Sequence, residues 1–219
     1  MTRTLILIVA LVATGALAAA QSTQALNDTA VASAIAAGSN EKPGDVGLFL
    51  KVNGFQSWAS SFGQPAGSAQ FSMANLFAMA IHTPDTWVAL HAAIAKAEYR
   101  PFGSADATAE MREPVLRVLI TPTSVDRAVI RSTSDNGPVI QPVSQRPCPG
   151  PMPFDDNVGA CNEFVFSLAD LGRVRASDRK GEFYVTVFAT GSNWEGTKRS
   201  RGSQDFKIKT KHFDDLGWE

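Results

Sequence analysis

The sequence predicts an α+β protein, β-rich, built on an antiparallel sheet or sandwich, with two helices in its N-terminal half. Three observations lead there. Residues 182–189 alternate, with Phe183, Val185, Val187 and Ala189 on one face and Glu182, Tyr184, Thr186 and Phe188 on the other, which is the period of a strand. Residues 205–209 alternate more sharply, Phe206 and Ile208 against Asp205, Lys207 and Lys209, as in a strand wet on one side. Helix start and stop signals gather instead at residues 27–38 and 83–101.

In order along the chain, Asn27 or Asp28 can cap a first helix, and Gly38 is expected to end it in a left-handed conformation. Leu48, Leu50 and Val52 share one face of a short strand. Residues 54–70 read as a long loop carrying Phe55, Trp58 and Phe62. Residues 71–82 form a strand with Phe71, Met73, Phe77, Met79 and Ile81 on a bulky face and alanines on a small one, where a helix can approach closely. That helix follows, capped by Thr83 or Asp85 with Pro84 in its first turn. Trp87, Leu90 and Ile94 lie along its apolar stripe, and 99–101 stops it.

A helical turn at 106–113 leads to a strand at 115–121 with Leu116, Val118 and Ile120 inward and Arg117 outward. Residues 125–132 are expected as its neighbour, and 139–143, interrupted by Pro142, as an edge. Phe164, Phe166 and Leu168 mark a further strand, and 173–180 reads as a charged turn. In strand spacing and turn signals this second half resembles an immunoglobulin-like sandwich, and Asp178, Gly181 and Tyr184 look like the approach to a tyrosine corner. The resemblance implies architecture and no activity.

The first 20 residues carry the most specific signal. Arg3 precedes an apolar run from Leu5 to Leu17, and Ala18, Ala19 and Ala20 offer the small residues of a cleavage site. The alternative, an uncleaved anchor, wants about 20 apolar residues. Residues 1–20 are therefore expected to be a signal peptide. Residues 21–219 are then the mature region, one α+β domain with a candidate sub-boundary near 114, exported to the periplasm or beyond the cell. Cys148 and Cys161 suit one disulfide in that oxidising setting. They lie too close in sequence for the usual inter-sheet bridge of the sandwich fold.

Twenty basic residues against 21 acidic ones give a net charge of −1, so no bulk attraction to nucleic acid or an anionic surface is expected. No transmembrane span, cofactor or metal site is expected in the mature chain. There is no nucleophile elbow, zinc-protease helix, phosphate loop or dinucleotide fingerprint. His82 is expected to bond the strand-to-helix turn, His91 to be a half-buried helix residue, and His212 to lie in the tail with Asp214 and Asp215. Asp155, Asp156 and Asn157, with Glu163 nearby, lack the spaced alternation of a calcium loop, and turn formation explains them.

Strand alternation separates the basic turn Arg173, Arg175, Arg179 and Lys180 from the loop holding Trp194, Lys198, Arg199 and Arg201. The disulfide loop falls at the latter end, so Asp155 and Asp156 would join Trp194, Lys198, Arg199 and Arg201 in a recognition tip. Mutual pairing of surface loops is the plainer reading of the same residues. The expected function is a non-catalytic module binding an unknown protein or envelope component. The alternatives are a secreted hydrolase assembled from residues such as Asp85, His82, Asp155 and His212, and an assembly role in which a partner covers residues 55–62.

Overall fold

Strand β2 (Leu76–His82) shows why the molecule is layered. Its Met79 and Ile81 are fully buried on one face and its Ala78 and Ala80 on the other, in two separate apolar clusters. The bulky face meets a second sheet, and the small face admits a helix. The structure is a computed structural model that describes residues 24–53, 76–121, 125–148, 161–192 and 199–218.

In chain order the elements are α1 (Asp28–Gly38), β1 (Leu48–Asn53), β2, α2 (Pro84–Ala97), α3 (Ala109–Arg112), β3 (Val115–Thr121), β4 (Val125–Ser132), β5 (Val139–Ile140), β6 (Ser144–Pro147), β7 (Asn162–Ser167), α4 (Leu168–Ala176), β8 (Phe183–Ser192) and β9 (Arg199–Ile208). Two antiparallel sheets result, with strand orders β1-β2-β3-β7-β6 and β5-β4-β8-β9. Their facing sides share one core. Met79, Leu116, Val118, Ile120, Phe164 and Phe166 from the first pack with Ala128, Ile130, Phe183, Val185, Val187 and Ile208 from the second. The expected pairing of 182–189 with 205–209 is present, Phe183 opposite Ile208 and Val185 opposite Phe206.

Helix α2 roofs the other side of the five-stranded sheet. Thr83 caps it through a capping box with Thr86, and its Trp87, Leu90 and Ala93 cluster with Ala78, Ala80 and Leu119. Tyr99, beyond its end, takes the left-handed φ of 55° that stops it. Helix α1 lies on α2 in turn, burying Val31 and Ala34 against Val88. Gly38 does not take the expected left-handed conformation. It is a helical residue with Ser39 as the cap, and its Cα lies where any Cβ would run into the Ala89 backbone. Close approach of two helices, rather than a turn, requires this glycine.

Four further expectations change. Strand β4 is not the neighbour of β3 but lies in the other sheet, because β7 takes that edge of β3 with Phe164 opposite Val118. The piece at 139–143 splits at Pro142 into β5, at the edge of one sheet, and a lead into β6, at the edge of the other. Residues 168–176 are a helix, capped by Ser167 on the Asp170 amide and burying Leu168, Leu171 and Val174. The charged turn shrinks to 177–182, where the Asp178 carboxylate accepts from the Lys180 and Glu182 amides and Gly181 has φ +67°.

The tail is the fourth. Asp214 and Asp215 are exposed, but Phe213 and Leu216 are buried in the two-sheet core. Trp218 packs on Phe213 and Phe183 at centroid distances of 5.6 and 6.1 Å. The Arg175 guanidinium lies over Phe213 and Trp218, at 4.7 and 4.5 Å.

Gly38→Ala should overpack the α1–α2 contact and lower stability by about 1–3 kcal/mol. Chemical denaturation of the variant beside the wild type measures it, and an unchanged midpoint would contradict the close packing.

Candidate functional site

The charged residues with a structural role inside the fold sit on the helix-facing side of the five-stranded sheet, and strand register puts them there. His82 on β2 stands opposite Arg117 on β3. Glu163 on β7 stands opposite Leu119 on β3 and opposite Arg146 on β6. Arg117 is thus diagonal to Glu163, and residues two apart on neighbouring strands share a face within reach of a long side chain.

The contacts follow. Arg117 Nη1 donates to Glu163 Oε1 at 2.6 Å. Arg146 Nε donates to Glu163 Oε2 at 2.5 Å, and its Nη2 pairs with Glu110. Arg117 Nη2 donates to the Glu110 carbonyl at 2.7 Å, which ties α3 to the sheet. Arg117 and Glu163 are fully buried, whereas Arg146 and Glu110 reach solvent. The bonds and charge of Arg146 hold the Glu110 carboxyl below its usual range, and Glu163 with Glu110 raises the Arg146 guanidinium above its own. Trp87 comes down from α2 with its ring 5.2 Å from the Arg117 Cζ, a cation–π contact. The Trp87 ring meets His91 edge-on at 4.8 Å, and His91 stacks on Phe102 at 6.4 Å.

Arg117 is therefore not outward into water, as the alternation suggested. It does point away from the two-sheet core, but α2 covers that face. His82 does not bond the strand-to-helix turn either. It is fully buried, and among the described residues neither ring nitrogen has a hydrogen-bond partner. His91 is half-buried on α2, and His212 Nδ1 accepts from the Lys209 amide at 3.2 Å. Asp85 is exposed in the first turn of α2. Both oxygens of Glu163 are engaged by guanidiniums, an arrangement suited to fixing three strands in register. Among the described residues no three of His, Cys, Asp and Glu come together as a metal-binding group, and no helix is long and apolar enough to cross a membrane.

Cys148 and Cys161 form a disulfide with a Cα–Cα distance of 5.4 Å. It continues the β6–β7 ladder, the Cys148 amide donating to the Cys161 carbonyl, next to the Arg146–Glu163 pair. Of the residues expected at the recognition tip, Asp155, Asp156, Trp194 and Lys198 lie outside the described residues, as do Asn157, the loop at 54–70, residues 71–75 of the expected second strand and the expected signal segment at 1–20. Arg199 and Arg201 begin β9, opposite Ser192 and Thr190. In the expected basic turn, Arg173 pairs with Asp170 and Arg175 with the two rings of the tail, both from α4.

The outer side of the four-stranded sheet carries a second group that periodicity alone did not single out. Arg131, opposite Tyr184, lies 4.3 Å over its ring, and Arg127, opposite Phe188, lies 4.0 Å over that one. Arg131 Nη2 also donates to Asp205 Oδ2 at 2.6 Å, and Thr186 Oγ1 donates to Asp205 Oδ1 at 2.5 Å. Tyr184 thus sits beneath a guanidinium on the sheet surface rather than in a tyrosine corner.

No protein-family model, no curated protein and no solved structure matches this chain.

Removing Glu163 leaves the buried Arg117 guanidinium without its carboxylate. Glu163→Leu should cost about 3–5 kcal/mol, and replacing Arg117 and Glu163 together by apolar residues should cost much less. Urea unfolding of the two variants decides between that coupling and simple additivity. Reducing the Cys148–Cys161 bridge should lower stability by about 3 kcal/mol in the chain-entropy account, read from the same titration with and without reductant.

Proposed function

We propose that the protein is an exported, non-catalytic interaction module. It binds a protein or other component of the cell envelope through the end of the sandwich that carries the disulfide and the β8–β9 turn. The observation that carries this reading is that side chains tie the two sheets together at this end, Gln145 of β6 donating from Nε2 to the Asp126 carbonyl of β4 at 3.2 Å. Asn162, adjacent to Cys161, donates from Nδ2 to the Val125 carbonyl at 3.0 Å, and Val125 is the ladder partner of Ala189 on the arm leading to residue 194. A bridged strand pair and a long hairpin thus meet at one end, a rigid base for a binding loop. The disulfide supports an oxidising compartment, and the apolar run at residues 5–17 supports export.

Arg117 and Glu163 beneath α2 are bonded to each other and roofed, which favours a scaffolding use over acid–base chemistry. Acid–base work needs a base within reach of a substrate proton. In the proposed tip Trp194 is the aromatic anchor, Lys198, Arg199 and Arg201 supply positive charge, and Asp155 and Asp156 supply the opposite sign. Buried aromatic and arginine anchors carry most of the energy of such contacts.

The test is retention of envelope components by the immobilised mature protein, followed by chemical cross-linking. Trp194→Ala should lower retention of a specific component at least about tenfold with an unchanged melting temperature, and Arg201→Glu should weaken it in a salt-dependent way. Equal retention by wild type and both variants, or a large fall in melting temperature for Trp194→Ala, would refute the tip.

A further inference from the structure

His82 is buried where an apolar residue would avoid an unmet need for hydrogen bonds. Both its ring nitrogens lack partners among the described residues. It belongs to the helix side of the five-stranded sheet, outside the two-sheet core, and its ring lies 5.5 Å from that of Trp87 on α2. The helical layer it supports is held to the sheet by its own, smaller apolar cluster, and α1 packs on α2 through a third.

The charges around it make a proton unwelcome. Arg117 faces it from β3 and His91 acts on it from α2. The Glu163 carboxylate on β7 is already shared by Arg117 and Arg146. From the β1 side Gly47, with φ +82°, abuts the ring and brings no charge, and Asp45 just before it is exposed. Asp85 in the first turn of α2 is exposed, and so are Asp214 and Asp215 beside Leu216, whose carbonyl accepts from Thr83 Oγ1. Burial first, and then the two cations, push the His82 imidazole down to about 3. Burial and Arg117 also lower His91.

We propose that His82 is an acid-operated latch, whose protonation lifts the α1–α2 layer from the five-stranded sheet while the two-sheet core stays closed. The direction follows from proton linkage. An opened His82 titrates near 6.5 and the closed one only near 3, so the open form binds more protons throughout that interval. The closed form is fully favoured above pH 6.5. Below it, each unit of pH moves the closed-to-open ratio about tenfold toward open, until the closed form titrates too. Separation into a labile layer and a stable core is the usual shape of sub-global opening.

The test is amide hydrogen exchange of the full mature chain between pH 7.5 and 4, corrected for intrinsic exchange rates. Protection of residues 84–97 should fall about tenfold per unit below pH 6.5, while that of 183–188 holds. In His82→Leu and His82→Phe the fall should flatten, and in His91→Gln it should persist. An unflattened fall in the His82 variants would overturn the latch, and so would simultaneous loss of protection in α2 and β8. Should neither variant fold, the wild-type imidazole is followed by NMR. A resonance that stays neutral down to about pH 4 in the closed form supports the latch, and one that titrates near 6.5 without opening overturns it.

Discussion

A charged pair beneath a helix sets the order of this fold. Arg117 and Glu163 can be buried only if their strands pair in one register and Arg146 arrives on the far side of Glu163. A slip of one residue on β3 or β7 would turn these charges into the two-sheet core and bring Leu116 or Phe164 out under α2. A buried pair adds little net stability compared with apolar residues of the same shape, but leaving it half-made is costly. Its effect here is selective. It penalises the wrong pairings, while Phe164, Phe166, Val118 and Ile120 supply the burial.

The two outer faces solve the problem of exposed sheet in different ways. On the five-stranded sheet, alanines at 78 and 80 make room for α2, and a second helix covers the first through the bare backbone at Gly38. On the four-stranded sheet, Arg127 and Arg131 lie flat on Phe188 and Tyr184, and Asp205 closes the row. Arginine stems cover apolar surface while their heads stay in water. Val129 and Thr186 are buried although they face outward, and Arg131 Nε donates to Thr186 Oγ1 at 3.1 Å. The first face is covered by a helix packed through Trp87, Leu90 and Ala93, the second by side chains of its own strands.

Much of this was legible in the sequence, and the exceptions share a cause. Period-two patterns located β1, β2, β3, β8 and β9, and cap residues located α1 and α2, because those signals are local. Alternation also sorted Arg117 to the face away from Leu116. It could not show that this face is roofed, since the roof comes from another stretch of chain. Helix α4 was hidden because its charged residues Arg173 and Arg175 drew attention from Leu168, Leu171 and Val174, spaced by three after a capping Ser167. The placement of β4 failed for a topological reason: adjacency in sequence favours pairing, and here β7 occupies that edge of β3. The His82 environment has no local signature at all, since it is made by Trp87, Arg117 and Gly47 from three elements.

The plug formed by Phe213, Leu216 and Trp218 bears on the order in which the molecule can assemble. Thr83, at the start of α2, donates its hydroxyl proton to the carbonyl of Leu216, 133 positions away, and Arg175 waits for two rings that come roughly 40 residues later. Until residues 213–218 dock, the two-sheet core lacks Phe213 and Leu216, and Phe183 lacks the ring of Trp218. That one short segment fastens α2, α4 and both sheets into one body.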